Sequence, residues 1–515
     1  MLLGLLVILG FSAAVLLAVK LIFALPSLDG RTVSSAVKDT PPSILASSIA
    51  AQAALNPSKS GIYPLMAGDA AFAARMLLAG TASRSIDAQY YMWRQDFTGR
   101  LLAAALVEAA DRDVRVRLLL DDNTTSGHDA ILATLDSHPN IEVRLFNPFV
   151  IRSPRLIGYL TNFFRLNRRM HNKSLTIDNH LTIVGGRNVG DEYFAAAKGM
   201  QFADLDVLAA GPVVADVSRQ FDQYWASQSS YPVASLLPAA PEGALAAFMS
   251  TVDAERRSEL GEAYAKLTSA TEFGSGLWTD ELKFEWSPVA LVHDDPAKGL
   301  GQVRRDKLLL GSLAARIGQP KSHVDLVSPY FVPGRIGACY LCGLRRDGLK
   351  VRILTNSMQA TDVQPVHAGY ARYRKKLLKS GIELYELKSF VGKVKNRRHI
   401  FKLGSSNASL HAKTFAIDGE RLFVGSFNFD LRSAFLNCEM GLLIDSPALA
   451  RSMSAMFEHA LAELSYRPLI DHDGRLYWLA HEQGNDIRHI VEPETTVFGR
   501  FRVWLISLLP IEWLL

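Results

Sequence analysis

The sequence predicts an α/β protein: two pseudo-symmetric units of mixed sheet flanked by helices, meeting at one shared site, with a hydrophobic helix ahead of them. Three observations carry the prediction. A polar-and-glycine pattern is written twice, as HNKSLTIDNHLTIVGGRN at 171–188 and HAKTFAIDGERLFVGSFNFD at 411–430. Strand, helix and strand patterns follow one another in the same order ahead of each copy. Residues 1–25 are nearly all apolar, with Lys20 the only charge.

In chain order, residues 1–25 come first. At about 1.5 Å per residue a helix of that length exceeds the ~30 Å of a bilayer core. A retained anchor is favoured over a cleaved signal peptide, because no basic side chain precedes the run and no A-x-A follows it. Lys20, Arg31 and Lys38 flank one end, so positive-inside reasoning points the body of the protein to the cytoplasm. Residues 26–64, with five prolines (Pro26, Pro41, Pro42, Pro57 and Pro64), read as a linker. The first unit is expected over 65–235, with a helix at 67–78, a strand at 85–92, a helix at 101–110 and a buried strand at 114–120. Residues 236–290 have no counterpart in the repeat and read as a partly helical insertion. The second unit is expected over 291–470, with a strand at 323–330, a helix at 337–344 and a strand at 351–356. Residues 471–515 read as an apolar tail. Its last stretch, 498–515, is too short to cross a bilayer; it either packs in a groove or enters the interface, where Trp is favoured.

Composition excludes several classes. At 49% hydrophobic and 21% charged the chain is globular rather than disordered. A net charge of +5 is too mild for a protein coated in nucleic acid. Three cysteines do not make a disulfide framework. Cys339-Tyr-Leu-Cys342 has no second pair and reads as helix packing rather than a redox or zinc site. Two basic stretches approach the repeated motifs. In the first, Leu156, Ile157, Leu160, Phe163 and Phe164 form one helical face, with Arg155, Arg165, Arg168 and Arg169 around it. That is the pattern of a helix lying in a membrane surface, although a solvated charged face is the plain alternative. The second stretch is Lys393, Lys395, Arg397, Arg398 and Lys402.

The repeat itself aligns His171 with His411, Lys173 with Lys413, Asp178 with Asp418, Gly185 with Gly425 and Asn188 with Asn428. The offset stays at 240 residues throughout (411−171, 413−173, 418−178, 425−185, 428−188). Each copy alternates as a strand, turns at Asp178-Asn179 or Asp418-Gly419, and continues in a second apolar run, which predicts a β-hairpin. His and Lys two residues apart share a face of the strand. A single copy would pass for a strand with a polar side. Two copies in register say that each unit donates one His, one Lys and one Asn to the same place.

The doubled H-x-K-x-x-x-x-D followed by G-[SG]-x-N resembles the phospholipase D superfamily over residues 65–470. The Gly-Gly-Arg-Asn variant, the segment from Val292 through His293, Asp294, Asp295, Pro296 and Ala297 to Lys298, and the apolar tail are similar to bacterial cardiolipin synthases of the C type. The resemblance implies a metal-free, cofactor-free site at the interface of the two units, carried by His171, Lys173, Asp178, His411, Lys413 and Asp418, with Asp178 and Asp418 structural or orienting. It implies a phosphatidyltransferase acting through a phosphohistidine on phospholipid phosphodiesters at a bacterial inner membrane, with a phospholipase D-type hydrolase or a superfamily nuclease as the alternative. The chemistry is consistent: a neutral imidazole attacks a phosphodiester anion without charge repulsion, and a second imidazolium supplies the leaving group's proton. The nucleophile falls on His171 by analogy. Lys173 and Lys413 would offset charge on the phosphoryl oxygens, and Asn188, Asn428 and Ser426 would donate hydrogen bonds to them. A carboxylate behind each His would fix its tautomer; Glu439 and Asp206, each opening an apolar run after the motif, are the candidates. Gly186 departs from the serine often found there, and its backbone N–H is expected to stand in. Lys two residues from each His repels a cation, so no metal is expected. Phospholipids and a membrane surface are the expected partners, and nucleic acid is not.

Overall fold

The computed structural model describes residues 10–11, 14–15, 18–19, 22–37, 44–197, 201–271, 282–389, 408–482 and 484–515. Most of the apolar N-terminal stretch and the basic stretch 393–402 lie outside the described residues. Among the described residues no helix is long and apolar enough to cross a membrane.

Each unit is built around a sheet whose central strands follow the same plan. In the first, Ser85–Tyr90 runs parallel to Arg115–Asp121 on one side and antiparallel to Ser174–Ile177 on the other. In the second, His323–Val327 takes the same place between Lys350–Asn356 and Thr414–Ile417. The parallel partner is reached through a helix, Phe97–Asp111 or Gly334–Arg346. The parallel strands are buried on both faces because helices cover both, and each pair holds a buried ion pair, Arg117 with Asp87 and Arg352 with Asp325. The repeated motif forms the predicted hairpin twice: Ser174 stands opposite Val184 and Thr414 opposite Val424. Both turn residues have positive φ, Asp178 and Asn179 at 52° and 57°, Asp418 and Gly419 at 56° and 64°. That is the tight turn that Asp, Asn and Gly favour because they tolerate left-handed backbone.

The ends of the chain are more structured than the sequence suggests. Residues 26–37 and 44–64 are no free linker. Arg31 donates to the carbonyls of Ser227 and Ser230, Arg117 to Ser34 and Arg144 to Thr32. Ile44–Ala54 is a helix, and Ser60–Leu65 pairs with Asp206–Ala210 in the first sheet. The prolines concealed this, since the strand carries Pro64 near its end. Among its described residues the insertion holds the helices Ala244–Arg256 and Glu259–Ser269, and Glu285–Ser287 joins the edge of the first sheet. Val289–His293 begins the edge of the second, so the chain changes sheets at Pro288. Part of the expected tail belongs to that sheet too: Leu476–Glu482 and Asn485–His489 extend it as a hairpin. After them the helix Val497–Ser507 packs through Val503 against Met358 and Ala368.

Candidate active site

Each motif histidine lies just ahead of its hairpin, where its backbone is held by the opposite unit. The His171 N–H donates to the Cys438 carbonyl at 2.8 Å, and Met170 bridges to Cys438 in parallel. The His411 N–H donates to the Ala203 carbonyl at 2.8 Å, and Ala408–Leu410 pairs in parallel with Gln201–Ala203. The next residue after each of those carbonyls is an acid, Glu439 and Asp204. The pairing is therefore crossed: His171 Nδ1 lies 2.9 Å from Glu439 Oε2, and His411 Nδ1 lies 2.5 Å from Asp204 Oδ2. One unit's histidine is oriented by the other unit's carboxylate, and the relation is reciprocal, as a pseudo-twofold axis through a single site requires.

All four groups are buried, and burial sets their charge states. Loss of water pushes His171 down to about 4, with Glu439 opposing and Lys173 reinforcing. Burial and the adjacent Lys413 also lower His411, against the pull of Asp204. Burial works against the Glu439 carboxylate, yet His171 and Lys173 outweigh it and hold its pKa below the usual range. Asp204 is likewise held low by His411 and Lys413 against its burial. At neutral pH the result is two neutral imidazoles beside two carboxylates. A carboxylate only accepts, so each Nδ1 carries the proton and each Nε2 keeps its lone pair. Burial lowers both lysines as well, Lys413 to about 8. Lys173 Nζ donates to the His171 carbonyl at 2.6 Å and lies 5.5 Å from the Tyr91 ring. Lys413 Nζ donates to the His411 carbonyl and lies 5.9 Å from the Tyr330 ring. The Lys413 charge acts on His171 and the Asp204 charge on Lys173, so the two halves share one electrostatic environment. Aromatic rings brace the imidazoles: Tyr91 at 5.1 Å from His171, and Tyr193 and Phe202 at 5.2 and 4.9 Å from His411.

The remaining expected site residues fall into different places. Asp206 is not the second orienting carboxylate. It opens the strand opposite Gly185 and pairs with Arg75 at 2.8 Å and Arg187 at 3.5 Å. Arg187 in turn donates to the Asp204 carbonyl at 2.6 Å, so Asp206 supports Asp204 from behind. The correct acid sits two residues earlier. Gly425 pairs with Gly441 and Gly185 with Asp206, so the strands after the motif align at an offset of 235 (441−206), and Asp204 is the counterpart of Glu439. The first copy has five more residues between motif and strand, and the constant offset of 240 fails there. Asp178 and Asp418 stand at the far end of the motif strand, on the order of 20 Å along the chain from the histidines at about 3.3 Å per residue. Asp178 accepts from the N–H groups of Ser83, Arg84 and Ser85, and Asp418 from those of Lys321, Ser322 and His323. Both fix the start of the neighbouring strand and neither reaches the site.

The Ser426 hydroxyl donates to Glu439, so its proton serves the carboxylate rather than a bound phosphate. At the matching position Gly186 leaves room for an acid: a Cβ there would lie 2.2 Å from Asp204 Oδ1. The Gly186 N–H is taken by the Leu205 carbonyl at 3.2 Å and does not replace the hydroxyl. Asn188 is also engaged, accepting from the Met92 N–H and donating to Tyr193, whereas Asn428 Oδ1 is buried with no hydrogen-bond partner among the described residues. The Asp294 and Lys298 that stood out in sequence form a buried pair at 2.8 Å, and Asp294 accepts from the Glu439 N–H at 3.0 Å, holding that acid in place. Among the described residues no group of three or more His, Cys, Asp or Glu is arranged to hold a metal ion.

Fold and site together define a two-unit protein with one composite histidine–lysine centre of the phospholipase D type. The family described as "Cardiolipin synthase, PLD-like domain" matches residues 78–225 and 313–461, and the chain belongs to that family. It is 46% identical to cardiolipin synthase C of Escherichia coli (strain K12) over 471 residues, 92% of this chain and 99% of that protein. Cardiolipin synthase B of Salmonella typhi is 28% identical over 378 residues, 73% of this chain and 74% of that protein. Among solved structures, the phosphatidylserine synthase of Haemophilus influenzae Rd KW20 superposes with a TM-score of 0.58 at 13% identity, covering 91% of this chain and all of that one, a likeness of fold.

Proposed function

We propose that the protein is a membrane-associated phosphatidyltransferase, like the cardiolipin synthases, working through a phosphohistidine. The observation that carries this reading is the crossed pairing, which presents two buried, carboxylate-oriented imidazoles from opposite units to one place. In the first step Nε2 of His171 attacks phosphorus, an N–P bond forms, and the P–O bond to the donor's head-group alcohol breaks. His411, protonated once a phosphodiester anion sits beside it, gives the departing oxygen its proton. In the second step an acceptor alcohol passes its proton to His411 and attacks phosphorus, the N–P bond breaks, and His171 returns neutral. Lys173 and Lys413 offset the charge on the phosphoryl oxygens in both steps. Glu439 and Asp204 stabilise each imidazolium as it forms.

Residues 1–25 serve in this reading as the anchor in the bacterial inner membrane, with the body on the cytoplasmic side. The reading favours a lipid alcohol as acceptor over water, in keeping with the relatives. Incubating the full-length protein with vesicles of defined phospholipids, followed by mass spectrometry of the products, tests it. The expected product carries two phosphatidyl groups on one alcohol, and His171→Ala and His411→Ala each abolish it. Phosphatidic acid alone would make the protein a hydrolase, and cleavage of DNA with no lipid conversion would make it a nuclease.

A further inference from the structure

The basic helix Leu156–Leu166 carries a feature that the composite site does not use. Its outer face is bare: Leu156, Leu160 and Phe164 are 72%, 69% and 70% exposed. The Phe163 ring lies 6.3 Å from Trp513 of the C-terminal segment, which is itself half exposed. On its inner side the helix covers a cavity of about 220 Å³ lined by Phe23, Leu25, Val150, Ile151, Asn162 and Arg165. A single water needs only ~15 Å³ of such space. The helix breaks at Asn162 (φ −136°, ψ 37°), beside this cavity.

Arg165 distinguishes this cavity from an ordinary packing defect. Three of the neighbouring arginines have acids: Arg152 pairs with Asp122 and Asp129, Arg155 with Asp122 and Arg169 with Asp121, while Arg168, which does not line the cavity, has no acid among the described residues and donates to the Phe164 carbonyl. Arg165 has none among the described residues. Its Nη2 donates to the Pro148 carbonyl at 3.0 Å, while Nε and Nη1 are buried without a hydrogen-bond partner among the described residues. Burial lowers its pKa to about 10, with the nearby Arg169 adding to the effect. A buried guanidinium that keeps its charge without a counter-ion is a standing penalty, which an anionic ligand removes. Around it the apolar Phe23, Leu25, Val150 and Ile151 stand beside the polar Thr161 and Asn162, and the same helix carries a bare apolar face of the kind that rests in a bilayer interface.

We propose that this cavity binds the phosphate of an anionic phospholipid, with Arg165 as its counter-ion and Phe23, Leu25, Val150 and Ile151 against the glycerol and first acyl carbons. It is a lipid-holding site separate from the histidine centre and seats the helix Leu156–Leu166 on the membrane. The choice of a phospholipid as ligand rests on the function proposed above; the need for an anion rests on Arg165 alone.

The test uses full-length protein carrying His171→Ala, so that no turnover occurs, in detergent micelles with thermal unfolding as the readout. Soluble dihexanoylphosphatidylglycerol is titrated against this protein and against the same protein with Arg165→Met. Saturable stabilisation of the first is expected, with apparent affinity at least tenfold weaker in the second. Without lipid, Arg165→Met is expected to melt no lower than its parent, because a buried unpaired charge has gone. A merely structural arginine would reverse both results: Arg165→Met would melt lower and bind the lipid as well as its parent, and the proposal would fall. Inorganic phosphate giving the same stabilisation at the same concentration would assign the cavity to a free anion and overturn the lipid assignment. Should Arg165→Met fail to fold, Arg165→Lys, which keeps the charge but not the planar guanidinium fork, supplies the comparison, with an affinity loss of at least threefold expected and unchanged affinity overturning the site. The Arg165-dependent shift is read without catalysis, so it stands or falls separately from the phosphatidyltransferase activity.

Discussion

Neutralising either orienting acid without changing its shape probes the shared centre most directly. Glu439→Gln keeps a carbonyl oxygen that can accept from His171 Nδ1 and from Ser426, now 2.9 Å away in the case of the imidazole. What it removes is the negative charge that faces the imidazolium formed in the transition state. For charges about 4 Å apart at an effective dielectric near 20, the Coulomb attraction is about 4 kcal/mol. The charge-assisted part of one hydrogen bond gives a lower bound of about 2 kcal/mol. The expected loss in kcat is therefore about 30- to 1,000-fold, and Asp204→Asn should lose a similar factor, since its relation to His411 is the same. Turnover of defined phospholipids by the wild type, both single variants and the double variant gives the answer. One composite site requires that each single variant lose nearly all activity and that the double variant fall short of the product of the two factors, because both acids serve the same bond-making events. Two independent sites, one per unit, would leave each single variant with about half the wild-type rate. That result would refute the crossed assignment, whatever the double variant did.

Two further expectations follow from the same geometry. Gly186→Ser restores the hydroxyl that the resemblance leads one to expect, yet it should lower activity by at least tenfold, because the new Cβ would lie 2.2 Å from Asp204 Oδ1 and displace the acid from His411; activity equal to wild type in the same assay would show that Asp204 has room to move. The pH profile should fall on the alkaline side: Lys413 is held at about 8 by burial and is charged only below that value, so its support of the phosphoryl oxygens is complete at pH 7 and fades as pH rises through about 8. Lys413→Arg, whose guanidinium stays charged throughout, should flatten that limb in a kcat profile even if its maximum is lower.

Much of this was legible in the chain. The hairpins could be read because period-two alternation and a left-handed Asp-Asn or Asp-Gly turn are local signals, and the strand and helix cores of both units could be read for the same reason. The residues at the ends resisted for a different reason. Pro64 suggests a linker, and the strand Ser60–Leu65 is specified only by its pairing with Asp206–Ala210, nearly 150 residues away in sequence. The acid Asp204 escapes a reading that takes the carboxylate opening the apolar run after each motif, because in the first unit Asp206 opens that run and Asp204 lies two residues ahead of it. Re-aligning on the strands, Gly185 opposite Asp206 as Gly425 is opposite Gly441, would have found it.

The crossing itself could not have been read from either copy. Nothing local to Glu439 says that its histidine lies 268 residues earlier, in the other unit. The clamps make this unavoidable in the fold: His171 is held by the Cys438 carbonyl and His411 by the Ala203 carbonyl, each one residue ahead of an acid. An isolated unit would lose the carboxylate behind its histidine and leave its own acid without its partner histidine. Each half therefore lacks the group that makes its histidine a base, and the doubled motif is a requirement of the chemistry and not spare capacity. A duplicated sequence of this kind marks one site made of two parts when the element that orients each copy follows the other copy in the chain.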